Sequence, residues 1–390
     1  MNILPRLMYP LQMLPNSIPN SWFANLDKMF TQFIWQGKKA RMKISKLQRA
    51  RDQGGLGVPN VQLYYWAAQM RYIYEWVNPE PTNTWIDMES WNCGLLTLKN
   101  CPFITYKKVK LEVQNNFIVR NTLNTWNKMM SCFGFKNHFS LLAPIWKNPD
   151  FVPSCHDAVY KFWHEKGLDR LVKLYEGGAV ESFEALKSKY SLLQSHFFRY
   201  LQIRHYIPKN RHAQNTFLED LLIQPISKRF ISQIYKTFGL NFNHSTDNIR
   251  KQWQNDIGEQ IEEKVWTSII KNTHRILSCN TDRETQFKIL HRLHCTPLLR
   301  SRFGLGSPNC IKCCSEIGTY THMVWKCCKI QHFWSDVKEE VATLLGYGLE
   351  LTPSHPQNTT TQAAGTNLTL WTYKQHKNIN KLLHRNANFE

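Results

Sequence analysis

Apolar residues recur at three- and four-residue intervals along most of the chain, a pattern typical of helices that bury one face. One such segment runs from Trp22 to Ile34 and another from Val61 to Val77, with Asn60 as the candidate cap of the second. The same periodicity predicts helices over Lys107–Met130, His156–Lys166, Val180–His205, Thr216–Phe238, Thr246–Arg275 and Asp282–Cys295. The expected fold class is therefore mainly α.

The clearest apolar stripe lies in the segment Val180–His205, and we expect it to face a core. Its members are Phe183, Leu186, Tyr190, Leu193, Phe197 and Leu201. Pro225 is expected to break the Thr216–Phe238 segment, because proline removes a backbone donor and clashes with the preceding turn. Residues 78–100 are rich in Pro, Asn, Thr and Trp and are predicted to be irregular.

Changes in this pattern divide the chain into four expected regions. Residues 1–77 form a helical region with a basic segment, and residues 78–304 form a helical connecting region. Residues 305–345 form a Cys/His module. Residues 346–390 have few large apolar side chains and much Thr, Asn and Gln, which predicts a disordered tail.

Charge changes the picture of what the protein binds. The chain has 49 Lys and Arg against 29 Asp and Glu, a formal charge of +20, which favours a polyanionic partner. An anionic membrane is the weaker alternative, because Pro5, Pro10, Pro15 and Pro19 interrupt the apolar N-terminal segment and no run reaches the ~20 apolar residues that a bilayer span requires. Without a secretory signal pattern we expect an intracellular protein, in the nucleus or the cytoplasm and not secreted, with reduced cysteines.

The basic charge is concentrated between residues 38 and 51, where no carboxylate occurs. The cations there are Lys38, Lys39, Arg41, Lys43, Lys46, Arg49 and Arg51. The plain alternative is a solvated face, but such a face normally mixes both signs, since unlike charges three or four residues apart support a helix. We therefore predict that this segment contacts the backbone of RNA or of single- or double-stranded DNA. Arg292, Arg300 and Arg302 form a candidate second contact.

Five of the eleven cysteines lie between Cys310 and Cys328. Cys310 and Cys313 have the spacing of a metal-binding knuckle, and His322 and Cys327 complete a Cys₃His set, which is a standard structural zinc shell. Cys314 and Cys328 stay open as alternative ligands. Buried small hydrophobes would explain one cysteine but not five clustered ones. The zinc is expected to be structural, because the chain has no His-x-Glu or His-Glu-x-x-His sequence that would supply a catalytic base.

Other catalytic signatures are missing from the sequence. The glycines of QGGLGVPN are interpreted as a tight turn, since no Lys-Ser or Lys-Thr pair follows them as in a phosphate-binding loop. No Asp-Asp pair occurs, so the metal-binding carboxylates of a polymerase palm are missing. We expect no small-molecule substrate, no catalytic residues and no enzymatic activity of the chain on its own.

Several ordered blocks resemble LINE-type non-LTR retrotransposon reverse transcriptases, in the part that follows the palm. They are MNILPRLMYPLQMLPNSIP, FIWQGKKARMKISKLQRARDQGGLGVPNVQLYYWAAQ, FEALKSKYSLLQSHFFRYLQIRHYI, FKILHRLHCTPLLRSRFG and CIKCCSEIGTYTHMVWKCCKIQHFW. Together they extend over roughly residues 1–345. The resemblance implies a thumb-like helical region, a connecting region and a zinc-knuckle-like module, with Cys310, Cys313, His322 and Cys327 as zinc ligands, although a family spacing of three would select Cys314.

The resemblance also implies a function. In this family these regions grip template RNA and target DNA during target-primed reverse transcription by an RNA-directed DNA polymerase. Met1 would then correspond to an internal position of a polyprotein, with the endonuclease, fingers and palm upstream, and the upstream polymerase half is an expected partner. Two hypotheses follow: a nucleic-acid-binding, truncated C-terminal part of a reverse transcriptase, or an inert relic or domesticated adaptor that binds protein through its zinc module.

Overall fold

The computed structural model describes residues 3–345 except 92, 95, 209–213, 226–228, 243–245 and 276–278. This part of the chain is mainly helical, as predicted, and the tail predicted at 346–390 lies outside it. Its α-helices are α1 (Ile3–Met13), α2 (Asn20–Ile34), α3 (Ile44–Leu47), α4 (Val61–Val77), α5 (Thr84–Ser90), α6 (Tyr106–Glu112), α7 (Phe117–Cys132), α8 (Pro153–His156), α9 (Ala158–Glu165), α10 (Phe183–Tyr190), α11 (Phe197–Tyr206), α12 (Phe217–Ile223), α13 (Phe230–Asn241), α14 (Asp247–Ile257), α15 (Glu263–Arg275), α16 (Asn280–Leu290), α17 (Pro297–Ser301) and α18 (Gln331–Leu345). Strands β1 (Tyr175–Glu176) and β2 (Ala179–Val180) form a small antiparallel hairpin.

The chain forms two compact units, each built from separate stretches of sequence. Met1–Leu26 and Asn60–Phe242 form the first unit, and Asp27–Pro59 and Asn243–Glu390 form the second. These units do not coincide with the region boundaries predicted at residues 77 and 304. The reason is a long-range contact: Met42 and Leu47 share a buried cluster with Phe287, and helical periodicity carries no information about such a pairing.

Helix α4 is the centre of the first unit, and α1, α7, α12 and α13 pack against it. Its predicted cap is confirmed, because the Asn60 side chain accepts a hydrogen bond from the backbone N–H of Leu63 at 3.0 Å. Ala67 and Ala68 are fully buried, and their small side chains let neighbouring helices approach closely. The buried side-chain amide of Gln69 donates hydrogen bonds to the backbone carbonyls of Leu11 and Leu14, so its nitrogen is paired.

The single helix predicted over Val180–His205 is wrong, because it is two helices separated by a turn. Ser191 has φ of 52°, a left-handed conformation that ends α10, and a 3₁₀ turn at Gln194–His196 precedes α11. The predicted apolar stripe is correspondingly broken: Phe183 and Leu186 are buried, whereas Leu193 is 57% exposed. Helix α11 buries a different face from the one that a continuous helix over Val180–His205 would bury. Tyr200 and Ile203 are its buried residues, in place of the predicted Phe197 and Leu201.

Three other predicted segments are each divided into two helices, two of them unexpectedly. Lys107–Met130 is divided into α6 and α7, and the Asn116 side chain caps α7 by accepting from the N–H of Val119. Thr246–Arg275 is divided at Gly258, whose φ of 87° closes α14. Thr216–Phe238 is divided into α12 and α13 around Pro225, as predicted. The predicted irregular stretch 78–100 contains the short helix α5.

The second unit places the basic segment on helices α15 and α16. Its turn QGGLGVPN is tight, as predicted, because a Cβ on Gly55 would lie 2.2 Å from the carbonyl oxygen of Arg49. The Nε2 of buried His291, just after α16, lies 2.6 Å from the carbonyl oxygen of Gly54. A second cluster consists of Ile249, Trp266, Ile270 and Leu290.

Within the residues that the structure describes, no helix is both long enough and apolar enough to cross a membrane.

Candidate metal centre and basic segment

A short hairpin presents the first two cysteines of the candidate metal centre. Asn309 and Ile317 form an antiparallel bridge, and the N–H of Cys310 donates to the carbonyl of Glu316 at 2.7 Å. Inside this hairpin the N–H of Lys312 points at the sulfur of Cys310 at 3.4 Å. Cys314 has φ of 59° and donates its N–H to the carbonyl of Cys310, which closes the turn. The turn therefore directs the thiols of Cys310 and Cys313 to one point.

A π-helical turn at His322–Lys326 presents the other two side chains. The N–H of Cys327 donates to the carbonyl of His322 at 2.9 Å, and the hydroxyl of Thr319 accepts from the N–H of His322. Turns of this kind are rare and occur often at functional sites, because the extra residue redirects a side chain. Here the turn brings His322 and Cys327 to the same side of the chain.

The four predicted ligands lie together. The ligand atoms of Cys310, Cys313, His322 and Cys327 are all within 4.8 Å of one another and form a group that could hold a metal ion. The two sulfurs of Cys310 and Cys327 are 3.8 Å apart, and the sulfur of Cys313 is 3.4 Å from Nε2 of His322. Zn–S bonds of about 2.3 Å in a tetrahedron separate ligand sulfurs by about 3.8 Å. The donor set and its spacing fit a tetrahedral metal ion.

The geometry also distinguishes among the neighbouring cysteines. Cys314 and Cys328 are exposed and lie outside the group, whereas Cys310 and Cys327 are buried and Cys313 is half-buried. The alternative set with Cys314, which the sequence left open, is not the one that converges here. Burial at 1% exposure for Cys310 and 0% for Cys327 excludes water from one side of the centre.

Glu316 is a residue that sequence reasoning missed. Its Oε2 lies 2.8 Å from Nδ1 of His322, while the Nε2 of the same ring faces Cys313. This contact does not have hydrogen-bond alignment and is electrostatic. A carboxylate beside the far nitrogen favours a proton there, which leaves the nitrogen facing Cys313 to bind metal. A carboxylate between two candidate ligands was the available signal in the sequence, but only the hairpin geometry aims it at His322.

The thiols of the centre have unequal proton affinities in the metal-free protein. Hydrogen bonds from the Ser315 side chain and from the N–H groups of Glu316 and Ser315 lower the pKa of Cys313 to about 5. Burial raises the pKa of Cys327 to about 11. Burial also lowers the pKa of Lys312, next to these thiols. Cys313 is therefore a thiolate at neutral pH, and a bound cation would favour the thiolate of Cys327 as well.

The candidate metal centre is part of a larger packed structure. Cys310 and Cys327 share a buried cluster with Ile330, Trp334 and Val337. On its other side the hairpin packs against α17, where a Cβ on Gly318 would lie 2.7 Å from a side-chain carbon of Pro297. The module therefore has apolar and backbone contacts in addition to its ligand set.

The basic segment is an irregular surface anchored by two buried apolar residues. Met42 and Leu47 are buried, and the segment contains only the four-residue helix α3 and a 3₁₀ turn at Arg51–Gln53. The predicted contact cations Lys38, Lys39, Arg41, Lys43 and Arg51 are exposed, whereas Lys46 and Arg49 are half-buried. Arg41 donates to the carbonyl of Leu293 at 3.2 Å, and burial lowers the pKa of Arg49.

The three arginines of the predicted second contact have different surroundings. Arg300 and Arg302 are exposed. The guanidinium of Arg292 bonds the carboxylate of Asp256 and lies over the rings of Trp253 and Tyr320 at 5.3 and 4.9 Å from their centroids. Arg292 is thus already engaged in an ion pair and two cation–π contacts, and its contact with nucleic acid stays a prediction.

No known protein-family model matches the chain.

Proposed function

We propose that this chain is a nucleic-acid-binding part of a LINE-type non-LTR retrotransposon reverse transcriptase, with a structural zinc ion in the Cys₃His centre. One observation carries the binding proposal: a stretch of fourteen residues, 38–51, displays exposed cations and contains no carboxylate. Among the described residues, Lys38, Lys39 and Lys43 form no ion pair with an acidic side chain. Phosphate groups of RNA or DNA would neutralise them.

The zinc assignment rests on the donor set. Three thiolates and one imidazole are soft to borderline ligands, which select zinc over calcium, magnesium or manganese. Cys310, Cys313, His322 and Cys327 would fill all four positions of a tetrahedron, which leaves no open position for a substrate or a water. The zinc would then act on folding and not on chemistry.

The proposed role is to hold template RNA or target DNA during target-primed reverse transcription, with the catalytic palm supplied by the upstream polymerase half. The ordered sequence blocks at residues 1–345 support this assignment, together with the mainly helical fold. The chain would have no polymerase activity alone, since two-metal nucleotidyl transfer requires positioned carboxylates and the sequence has no Asp-Asp pair.

Binding measured against salt tests the proposal. If about four cations of the segment neutralise phosphates of a single strand, the plot of log affinity against log salt has a slope of about −3, so a fourfold rise in salt weakens binding on the order of fifty-fold. The variant K38Q/K39Q/R41Q/K43Q should lose most of this slope and keep its helical content. The variant K99Q/K107Q/K108Q/K110Q removes four exposed lysines of the first unit and is the matched control. Equal slopes for both variants and the wild type would refute the proposed contact.

A further inference from the structure

A cavity of about 480 Å³ lies within the second unit, lined by α14, by residues at and just before α17, and by Thr319 and Tyr320. Its polar lining includes the amides of Gln252 and Asn255, the imidazole of His294 and the guanidinium of Arg302. Leu298 and Leu299 supply an apolar wall. This volume and this mixture of apolar wall and convergent polar groups are typical of a small-ligand site.

Two of the charged side chains that line the cavity, Arg292 and Asp256, form an ion pair with each other. The carboxylate of Asp256 accepts from Arg292 and, at 2.7 Å, from the hydroxyl of Thr321. Arg302 has no acidic partner among the described residues and is exposed. The side chains that line the cavity therefore have a net charge of +1, because Arg292 and Arg302 are positive and Asp256 is negative. This charge favours an anionic ligand.

The two side-chain amides of the lining are free to bind a ligand edge. Gln252 and Asn255 are three residues apart on one face of α14, and their side-chain amides make no hydrogen bond within the described part of the chain. The Nε2 of His294 is buried without a hydrogen-bond partner there. The ring of His294 therefore belongs to the wall of the cavity, and this nitrogen is not open to a ligand in it.

His294 is held as a neutral ring. Burial, with smaller contributions from Lys288 and Arg41, lowers its pKa to about 4. The ring therefore adds no charge to the cavity wall. The side-chain amides of Gln252 and Asn255 each carry a donor and an acceptor. A ligand edge that alternates donors and acceptors, as the edge of a nucleobase does, matches these two side chains.

We infer that this cavity receives one unstacked nucleotide of a single-stranded nucleic acid, with Arg302 on its phosphate and with Gln252 and Asn255 on the edge of its base. This inference rests on the proposed nucleic-acid-binding function. Leu298 and Leu299 cover the face of the base. Because Gln252, Asn255 and Arg302 are exposed, the strand can continue out of the cavity on either side of the bound nucleotide. The basic segment supplies affinity without reading sequence, and the cavity supplies a base preference.

Photo-crosslinking and binding together test the inference. Short single-stranded RNA that contains 4-thiouridine should crosslink to peptides that include residues 252–256 or 294–302. In titrations with homopolymers of A, C and U, the variant Q252A/N255A should bind the preferred homopolymer on the order of tenfold more weakly. Its affinity for the other homopolymers should change less than about twofold, because one bidentate base contact is worth about a factor of ten or more. Its control is Q233A/N241A, two exposed amides of α13.

Arg302 is tested by its effect on the salt slope. Arg302→Gln should weaken binding to every homopolymer alike and reduce the magnitude of the slope by about 0.7, the value for one phosphate of a single strand. Arg302→Lys should restore the slope, and Lys264→Gln, an exposed cation of α15, should leave it unchanged. Melting temperatures equal to that of the wild type show that each variant is folded.

The possible results distinguish a failure of the cavity inference from a failure of the proposed function. If the wild type binds RNA with a salt slope of about −3 but crosslinks only within residues 38–51, and the amide variant leaves every affinity unchanged, the cavity inference fails and nucleic-acid binding stands. If the wild type binds no single strand at about 50 mM salt, the proposed function fails, and the inference fails with it.

Discussion

The hydroxyl of Thr321 donates a hydrogen bond to the carboxylate of Asp256 at 2.7 Å, and this contact connects the residue before the candidate metal ligand His322 to helix α14. The same carboxylate bonds the guanidinium of Arg292. Tyr320, on the other side of Thr321, donates its hydroxyl to the carbonyl of Ile289 at 3.3 Å. The candidate metal centre is thus connected by side-chain hydrogen bonds to the helices that precede it in the sequence.

Removing the Asp256 carboxylate should therefore destabilise the second unit. The Arg292 side chain is 17% exposed, so the variant Asp256→Ala leaves a mostly buried cation without its partner, at a cost of about 1–3 kcal/mol in the free energy of unfolding. Denaturant unfolding measures this loss. Glu284→Ala is the matched control, because the side chains of its ion pair with Lys288 are 57% and 44% exposed, and we expect it to cost less than about 1 kcal/mol. Equal losses for the two variants would mean that the Asp256–Arg292–Thr321 connection contributes nothing of its own.

Metal content should identify Cys313, and not Cys314, as a ligand. The sulfur of Cys313 belongs to the convergent group and Cys314 is exposed outside it. The wild type purified without chelator should contain about one equivalent of zinc, and Cys313→Ser should contain much less, because replacing one thiolate removes a quarter of the ligand shell. Cys314→Ser and Cys328→Ser are the paired controls and should keep the full equivalent. A wild-type content below about half an equivalent would count against the centre itself.

Removal of the metal should affect more than the Cys/His module. A short loop-rich module such as residues 305–340 takes much of its folding energy from a bound metal ion. The contacts of Tyr320 and Thr321, and the packing of Gly318 on Pro297, connect that module to α16, α14 and α17. Amide hydrogen exchange with and without chelator should therefore show lost protection in residues 305–340 and a smaller loss in α14, α16 and α17.

Helices α4 and α7 of the first unit serve as the internal reference in that experiment. Their protection should not change on chelation, since both helices belong to the first unit and the Cys/His module belongs to the second. Loss of protection throughout the chain would indicate global unfolding, and unchanged protection in 305–340 would show that the ligand set contributes nothing to folding.

The accuracy of the sequence predictions follows the range of the interactions involved. Local signals worked well: Asn60 caps α4, and the Cys-x-x-Cys spacing identified Cys310 and Cys313. The backbone reversal at Ser191 was missed, because serine rarely adopts the left-handed conformation seen there and so gives no sequence signal for it. Long-range partners were missed for the same reason. The pairing of Leu47 with Phe287 has no local sequence signature, and the carboxylate of Glu316 is recognisable as a partner of His322 only from the hairpin geometry.

A last prediction concerns the pH dependence of the first unit, where Glu89 is partly buried beside Trp76. Burial raises the pKa of Glu89 to about 7, although the indole N–H of Trp76 donates to its carboxylate at 2.7 Å. The folded state therefore binds a proton more tightly than the unfolded state, in which the pKa is near 4.5. Between these two pKa values the free energy of unfolding falls as pH rises, and above about pH 7 the full penalty of a buried carboxylate is present. The loss should be on the order of 2–3 kcal/mol between pH 4.5 and pH 8.

Glu89→Gln should remove this dependence, because glutamine keeps an acceptor oxygen for Trp76 and carries no charge. Chemical denaturation at a series of pH values should give the variant a flatter profile than the wild type and a higher stability at pH 8. The matched control is Glu80→Gln, which neutralises an exposed carboxylate of the same unit and should leave the slope of the wild type unchanged. If Glu89→Gln follows the wild-type profile throughout, the Glu89 carboxylate is as well solvated in the folded protein as in the unfolded chain. Its burial beside Trp76 would then contribute nothing to the pH dependence.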